Sequence, residues 1–180
     1  MIFRRLIIAG VLLSILWGAS NVAQGEIKGT RAREIEAAFL LQFGKYVTWP
    51  ESAFIAPDAP IIVGILGRDP FGSVLDEIAR TSKVNGRGVE IRRFDDLASI
   101  KSSHILFVAS SEVVDRSEIM AAIDGAPVLL VGDSLDFLQI GIINFVLVDN
   151  KIRFTISRKN CEKSGLKISS KLMKVAHKVE

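Results

Sequence analysis

The sequence offers almost no thiol or imidazole chemistry: one cysteine, Cys161, and two histidines, His104 and His177, among 180 residues. A single thiol excludes an internal disulfide framework and any multi-thiolate zinc site, and two imidazoles leave little material for a His-rich metal centre. No metal and no cofactor are therefore expected. Proline is also scarce, 5 against 14 glycines, which fits neither a collagen nor a Pro-rich disordered tail. With 49% hydrophobic and 24% charged residues, the chain can bury a sizeable core and reads as one folded domain rather than a repeat array.

Positive charge is in small excess, a formal +3, and it is unevenly placed. Residues 1–25 hold Arg4 and Arg5 and no acid, residues 26–150 hold 12 Lys/Arg against 18 Asp/Glu, and residues 151–180 hold nine Lys/Arg against Glu162 and Glu180. An acidic body with one short basic end lacks the broad basic, aromatic-interleaved surface of a nucleic-acid binder, so no nucleic-acid partner is expected. A hydrophobic run long enough to span a membrane is missing too. Arg4-Arg5 precede an apolar stretch from Leu6 to Trp17, shorter than the ~20 residues a spanning helix needs, and Ala23-Gln24-Gly25 before Glu26 is a small-x-small cleavage candidate. Residues 1–25 thus read as a signal peptide cleaved near Gly25, with a mature domain over 26–180 exported to the periplasm. No cysteine lies near the cleavage region, which excludes a lipoprotein.

Apolar residues Ile35, Phe39, Phe43, Tyr46 and Val47 recur at helical spacing from Arg31 to Val47, and Trp49-Pro50 stops that helix. Ile61 to Leu66 is a continuous apolar run of the kind found in buried parallel strands. Asp69 is placed to cap a helix from Pro70 to about Arg80. Asn85 to Gly88 is a turn, Val89 to Phe94 a strand, and His104 to Val108 another. A helix is expected near Ser117–Ile123 and a strand over Pro127–Val131. Ile142–Val148 and Lys151–Ser157 form a hairpin about Asp149-Asn150, with Ile152, Phe154 and Ile156 inward and Lys151, Arg153 and Thr155 outward. The last segment reads as a helix capped by Ser169 or Ser170, with Leu172, Val175, Ala176 and Val179 as its apolar stripe and Lys171, Lys174 and Lys178 on another face. Alternating strands and helices predict a single α/β layered domain, with a mainly parallel sheet flanked by helices and an antiparallel hairpin near the C-terminus.

Several stretches imitate known chemistry. Gly132-Asp133-Ser134-Leu135 spells the block that names the GDSL hydrolases, but a serine needs a base to become a nucleophile, and Lys174 stands where an Asp-x-x-His motif ending at His177 would need an aspartate. The expected role of Asp133 and Ser134 is to cap a following short helix. Gly64 and Gly67 leading to Asp69-Pro70-Phe71-Gly72 lie where a phosphate loop would, without either glycine-rich fingerprint. A small-ligand crevice at Gly67, Asp69, Asp133 and Ser134 is the alternative to a binding role, and a hydrolase a remote one. His104 is expected to be structural, and Cys161, without a partner, a bystander.

Seven blocks, in order, resemble the YfiR-like periplasmic proteins. They are Glu36 to Pro50, Val63 to Gly72, His104 to Phe107, Val131 to Ser134, Ile143 to Leu147, Lys151 to Phe154 and Ser164 to Leu172. The resemblance implies a non-enzymatic regulator that binds the periplasmic domain of an inner-membrane diguanylate cyclase, lowering cyclic-di-GMP and biofilm formation. It also implies sequestration by an outer-membrane peptidoglycan-binding lipoprotein, and a homodimer. Some relatives carry paired cysteines, so control through an internal disulfide does not transfer to a chain with Cys161 alone. Residues offered for partner contact are Phe39, Phe43 and Trp49 from the first helical region, and Lys171, Leu172 and Lys174 near the C-terminus, with a plain core role as the alternative for Phe39 and Phe43. Binding then acts by differential affinity for one conformation of the receptor.

Overall fold

The computed structural model describes residues 29, 31–111 and 115–180; the expected signal peptide lies outside the described residues. A helix over 31–45 (α1) opens the domain, as the apolar spacing predicts. It ends before Pro50, with Val47–Thr48 (β1) already extended and paired antiparallel with Lys167–Ile168 (β8). The central sheet contains Ile61–Leu66 (β2), Val89–Phe94 (β3), Ile105–Val108 (β4), Leu129–Gly132 (β5), Ile143–Val148 (β6), Lys151–Ile156 (β7) and Lys178–Val179 (β9). Their spatial order is β3-β2-β4-β5-β6-β7-β9. The strands from β3 to β6 are parallel, and β6–β7 is an antiparallel hairpin. Both hairpin-turn residues, Asp149 (φ 48°) and Asn150 (φ 58°), are left-handed, the backbone a two-residue type I′ turn requires.

Helices Ser73–Thr81 (α2), Arg116–Ala122 (α3), Arg158–Lys163 (α4) and Ser170–Val175 (α5) complete the layers. Alternation along the strands divides the core in two. Ile61, Val63, Ile65, Ile105, Phe107, Leu129, Val131, Ile143 and Phe145 pack with α1, α2 and the α4–β8–α5 segment. Leu66, Leu106, Val108 and Leu130 pack with Phe94, Ile119, Ile123 and Phe137 on the opposite face. Gly64 is what lets that second layer close: a Cβ there would lie 2.3 Å from Ser103 Oγ and 2.7 Å from the Phe94 ring.

Four local expectations are corrected. Asp69 does not cap α2, because its Oδ1 accepts the Phe71 N–H at 2.7 Å while its Oδ2 is held by Arg93; the helix starts at Ser73 after Gly72 at φ 54°. Asp133 and Ser134 cap no helix either, since the following short turn Phe137–Gln139 begins after Asp136 and the Asp133 carboxylate is engaged elsewhere. The C-terminal helix stops at Val175. Residues 178–179 instead pair with the free edge of β7, where the N–H groups of His177 and Glu180 find Phe154 O at 2.8 Å and Ile156 O at 2.9 Å. Thr155 is buried rather than outward, its hydroxyl donating to Asn144 O.

Candidate functional site

Counted along the chain, the five parallel strands lie in the order 2-1-3-4-5, so the direction of winding reverses between β2 and β4. In doubly wound sheets that reversal leaves a crevice outside the carboxyl ends of the strands, the usual place for a ligand. The turns after β2 and β5 bring Gly67, Asp69, Asp133 and Ser134 to this end, beside the turn after β4. The Arg68 N–H donates to Ser111 Oγ at 3.2 Å, and the Ser110 N–H donates to Asp133 Oδ1 at 2.8 Å. Each β-turn is thereby fastened to its neighbour.

Two arginines meet the acids at this end. Arg33, near the start of α1, bridges Glu36 at 2.6 Å and Asp133 at 3.1 Å. Arg93, near the end of β3, reaches Asp69 at 2.9 Å and Asp76 at 2.7 Å, and also donates to Gly72 O. Glu36 is buried, and burial pushes its carboxyl above the ordinary range despite the opposing pull of Arg33. Burial lowers the affinity of Arg33 for its proton, but the Glu36 and Asp133 carboxylates outweigh that and raise it overall. The Arg93 hydrogen bond holds the Asp76 carboxyl below its usual range. Every carboxylate brought to this crevice from the expected set thus already has an arginine partner, and the arrangement is a clasp that docks α1 and α2 on the sheet.

Among the described residues, no histidine stands beside Ser134 to act as its base. His104 sits at the opposite end of the sheet, just before β4, and His177 lies beyond β7, two strands from β5. Gly132 has a packing role, since a Cβ there would come within 2.7 Å of the Phe137 ring. The Gly-Asp-Ser-Leu block is therefore a strand end shaped by an aromatic ring and a half-buried ion pair.

The expected contact residues separate sharply. Phe43, Trp49 and Leu172 are core, at 0%, 8% and 4% exposure, and offer nothing to a partner in this conformation. Phe39 is half-buried, its ring 5.7 Å from Phe154 and 6.5 Å from Phe145. Lys171 and Lys174 are exposed on α5. Exposed apolar side chains outside the expected contact set include Ile35, Tyr46, Leu147 and Val175. Tyr46 stands beside the start of α5, its carbonyl accepting the Ser169 N–H at 2.8 Å. Val175 lines a shallow cleft with Lys151, Arg153 and His177. The hairpin pattern signalled the cations of that cleft; the end of the helix at Val175 was not signalled. Cys161 is buried, its thiol donating to Leu166 O, and burial pushes its pKa up, which leaves it inert.

No curated protein matches the sequence. Among solved structures the chain is similar to the ABC domain in complex with L-Trp from Streptococcus pneumonia, at 12% identity and a TM-score of 0.54, over 80% of this chain and 60% of that one. It is also similar to a conserved domain protein from Vibrio cholerae, at 11% identity and a TM-score of 0.47, over 67% of this chain and 55% of that one. The chain spans less than two thirds of either neighbour, and the first likeness supports the α/β fold alone. Residues 33–177 match the YfiR/HmsC-like family, and the chain belongs to it.

Proposed function

We propose that this member of the YfiR/HmsC-like family is an exported, non-catalytic regulator that binds the periplasmic domain of an inner-membrane diguanylate cyclase. By holding that receptor in its inactive conformation it lowers cyclic-di-GMP and biofilm formation, and an outer-membrane peptidoglycan-binding lipoprotein relieves the restraint by competing for it. The family match over residues 33–177, nearly the whole folded domain, carries this reading. The arginine clasp supports it, since the polar groups at the sheet's carboxyl end are turned toward one another rather than toward a substrate. The contact surface of this proposal is redrawn around exposed groups: Ile35 and the half-buried Phe39 on α1, Leu147 on the hairpin, and Val175 with Lys171 and Lys174 on α5. The active form is a homodimer that begins near Glu26 after cleavage at Gly25.

Deleting the gene tests the proposal: cyclic-di-GMP and surface attachment rise, and the wild-type chain restores them. Unchanged cyclic-di-GMP, attachment and motility would refute the circuit. Capture from envelope fractions should retain a membrane protein with a diguanylate cyclase domain, and mass spectrometry of the purified chain should find an N-terminus at Glu26. A small-ligand role predicts instead that some metabolite stabilises the domain in a thermal-shift screen by loosening the Arg33–Asp133 pair.

A further inference from the structure

At the opposite, amino end of the parallel sheet, residues 49–60 cross from β1 to β2 as a strap containing the short turn Glu51–Ala53. Among the described residues, two side chains supply the hydrogen bonds that tie this strap to the rest of the domain. Arg87 donates to Ala59 O at 2.8 Å and Ala56 O at 3.3 Å. His104 contacts Ala53 O through Nε2 at 3.1 Å. The two side chains sandwich Phe54: the imidazole stacks on it at 4.7 Å between ring centroids, and the Arg87 guanidinium lies 3.8 Å from its ring centre.

The protonation state of His104 is fixed by its other nitrogen. Nδ1 receives the Ile62 N–H at 3.0 Å, and an amide N–H can only donate, so Nδ1 carries no proton and Nε2 carries the one given to Ala53 O. The main-chain N–H of His104 in turn donates to Ile62 O at 2.9 Å, so the residue extends the β2–β4 ladder by one step with its own ring. A second proton would set an N–H against the Ile62 N–H. It would also meet like charge, because the groups acting on this ring are Arg87 and Arg92, with Glu90 engaged by Arg92 and Lys101 lining the same cavity of about 400 Å³. The strap's own acids, Glu51 and Asp58, are exposed.

We propose that residues 49–60 are a pH-sensitive strap, latched by neutral His104 and released when His104 is protonated. Release uncovers Trp49, whose buried Nε1–H finds no acceptor among the described residues, together with Phe54. Ile55, already fully exposed, marks the tip of the apolar surface this presents. Burial favours the neutral ring in the closed state, so closure is fully stable above the ordinary histidine range and weakens as pH falls through it. The inference is independent of the regulatory reading above.

Hydrogen exchange of the full chain, corrected for intrinsic chemistry, tests the latch between about pH 7.5 and pH 5, either side of the ordinary histidine value. The opening equilibrium of 50–60 and of the Ile62 amide is expected to rise toward the limit of about tenfold per pH unit that one proton permits, while β4 and β5 amides stay protected. In His104→Asn the pH dependence disappears. In Arg87→Gln, which removes the other tie and one facing charge, the strap exchanges faster at neutral pH and its rise with falling pH is smaller than in the wild type. A strap whose corrected exchange is flat with pH overturns the proposal. So does a rise shared equally by the whole sheet, one that persists in His104→Asn, or a strap unaffected by Arg87→Gln.

Discussion

Replacing Phe43 with alanine separates a packing role from a contact role. Phe43 is fully buried, and its ring lies 4.9 Å from Phe154, 5.6 Å from Phe145 and 6.0 Å from Phe39 between centroids. These four rings staple α1 to the β6–β7 hairpin, so truncating the central one removes transfer energy and leaves a cavity walled by rings on rigid elements. For buried Phe→Ala the combined cost is about 3–5 kcal/mol, a large share of the roughly 5–15 kcal/mol that holds a domain together. With a urea slope of about 2 kcal/mol/M, the unfolding midpoint should fall by about 2 M with the slope unchanged. Phe39→Ala, at a half-buried ring, should cost about half as much. The assay is equilibrium urea unfolding followed by far-UV circular dichroism, paired with capture of the membrane partner at a urea-free temperature where both variants remain folded. If Phe43→Ala keeps its midpoint while abolishing capture, the ring is a contact residue and the placement of α1 described above is wrong. If Phe39→Ala weakens capture more than Phe43→Ala while destabilising less, the exposed edge of the aromatic cluster belongs to the interface.

Arg33→Met leaves Glu36 buried without its counter-ion and should destabilise by about 1–3 kcal/mol at neutral pH, at the low end because Arg33 is itself partly exposed. Because the folded-state pKa of Glu36 is raised, this loss is smallest below the ordinary glutamate range and grows as pH rises through the folded value. Thermal melts at acidic and neutral pH check the sign, and Arg33→Met/Glu36→Gln should recover much of the neutral-pH loss. Cys161 should resist a thiol reagent in the native protein and react at the rate of a free cysteine only in denaturant; rapid native labelling would contradict its burial. Lys171→Glu/Lys174→Glu, on the exposed face of α5, should shift stability by no more than about 0.5 kcal/mol yet weaken partner capture, and unaffected capture would remove α5 from the proposed surface. Gly64→Ala should cost about 1–3 kcal/mol by forcing Ser103 and Phe94 aside, read as a drop in melting temperature.

Strands β2 to β7 were legible because each carries an apolar run or a clean alternation bounded by turn residues, and the Asp149-Asn150 hairpin was legible because its backbone demands residues that tolerate positive φ. The sheet's small pieces were not. β1 and β8 have two residues each and exist through pairing with each other across 120 residues of chain, which no local pattern records. The C-terminus misled for a related reason. Lys171, Lys174 and Lys178 keep helical spacing, but β7 exposes an unpaired edge, and ladder hydrogen bonds from His177 and Glu180 outweigh the modest propensity of a short terminal helix.

The site residues show the same division between what a pattern states and what it omits. Position at a strand end put Gly67, Asp69, Asp133 and Ser134 at the carboxyl end of the sheet, because the order of strands and turns fixes that end. It could not say that Arg33, a hundred residues earlier, and Arg93, at the end of an edge strand, would arrive to neutralise the acids there. Periodicity likewise named Phe39, Phe43 and Leu172 as apolar without telling which of them a neighbouring element covers. Tertiary packing decides that: the Phe145 and Phe154 rings of the β6–β7 hairpin close over Phe43, Leu172 joins the same core, and Phe39 stays at its margin. The polar end of the sheet is occupied by its own ion pairs, and the proposed contact surface lies instead among the apolar and lysine side chains left uncovered at that margin. Any partner that engages Phe39 must therefore also meet Ile35, four residues earlier on the same helical face, so substituting Ile35 with a charged residue should weaken binding while leaving the core intact.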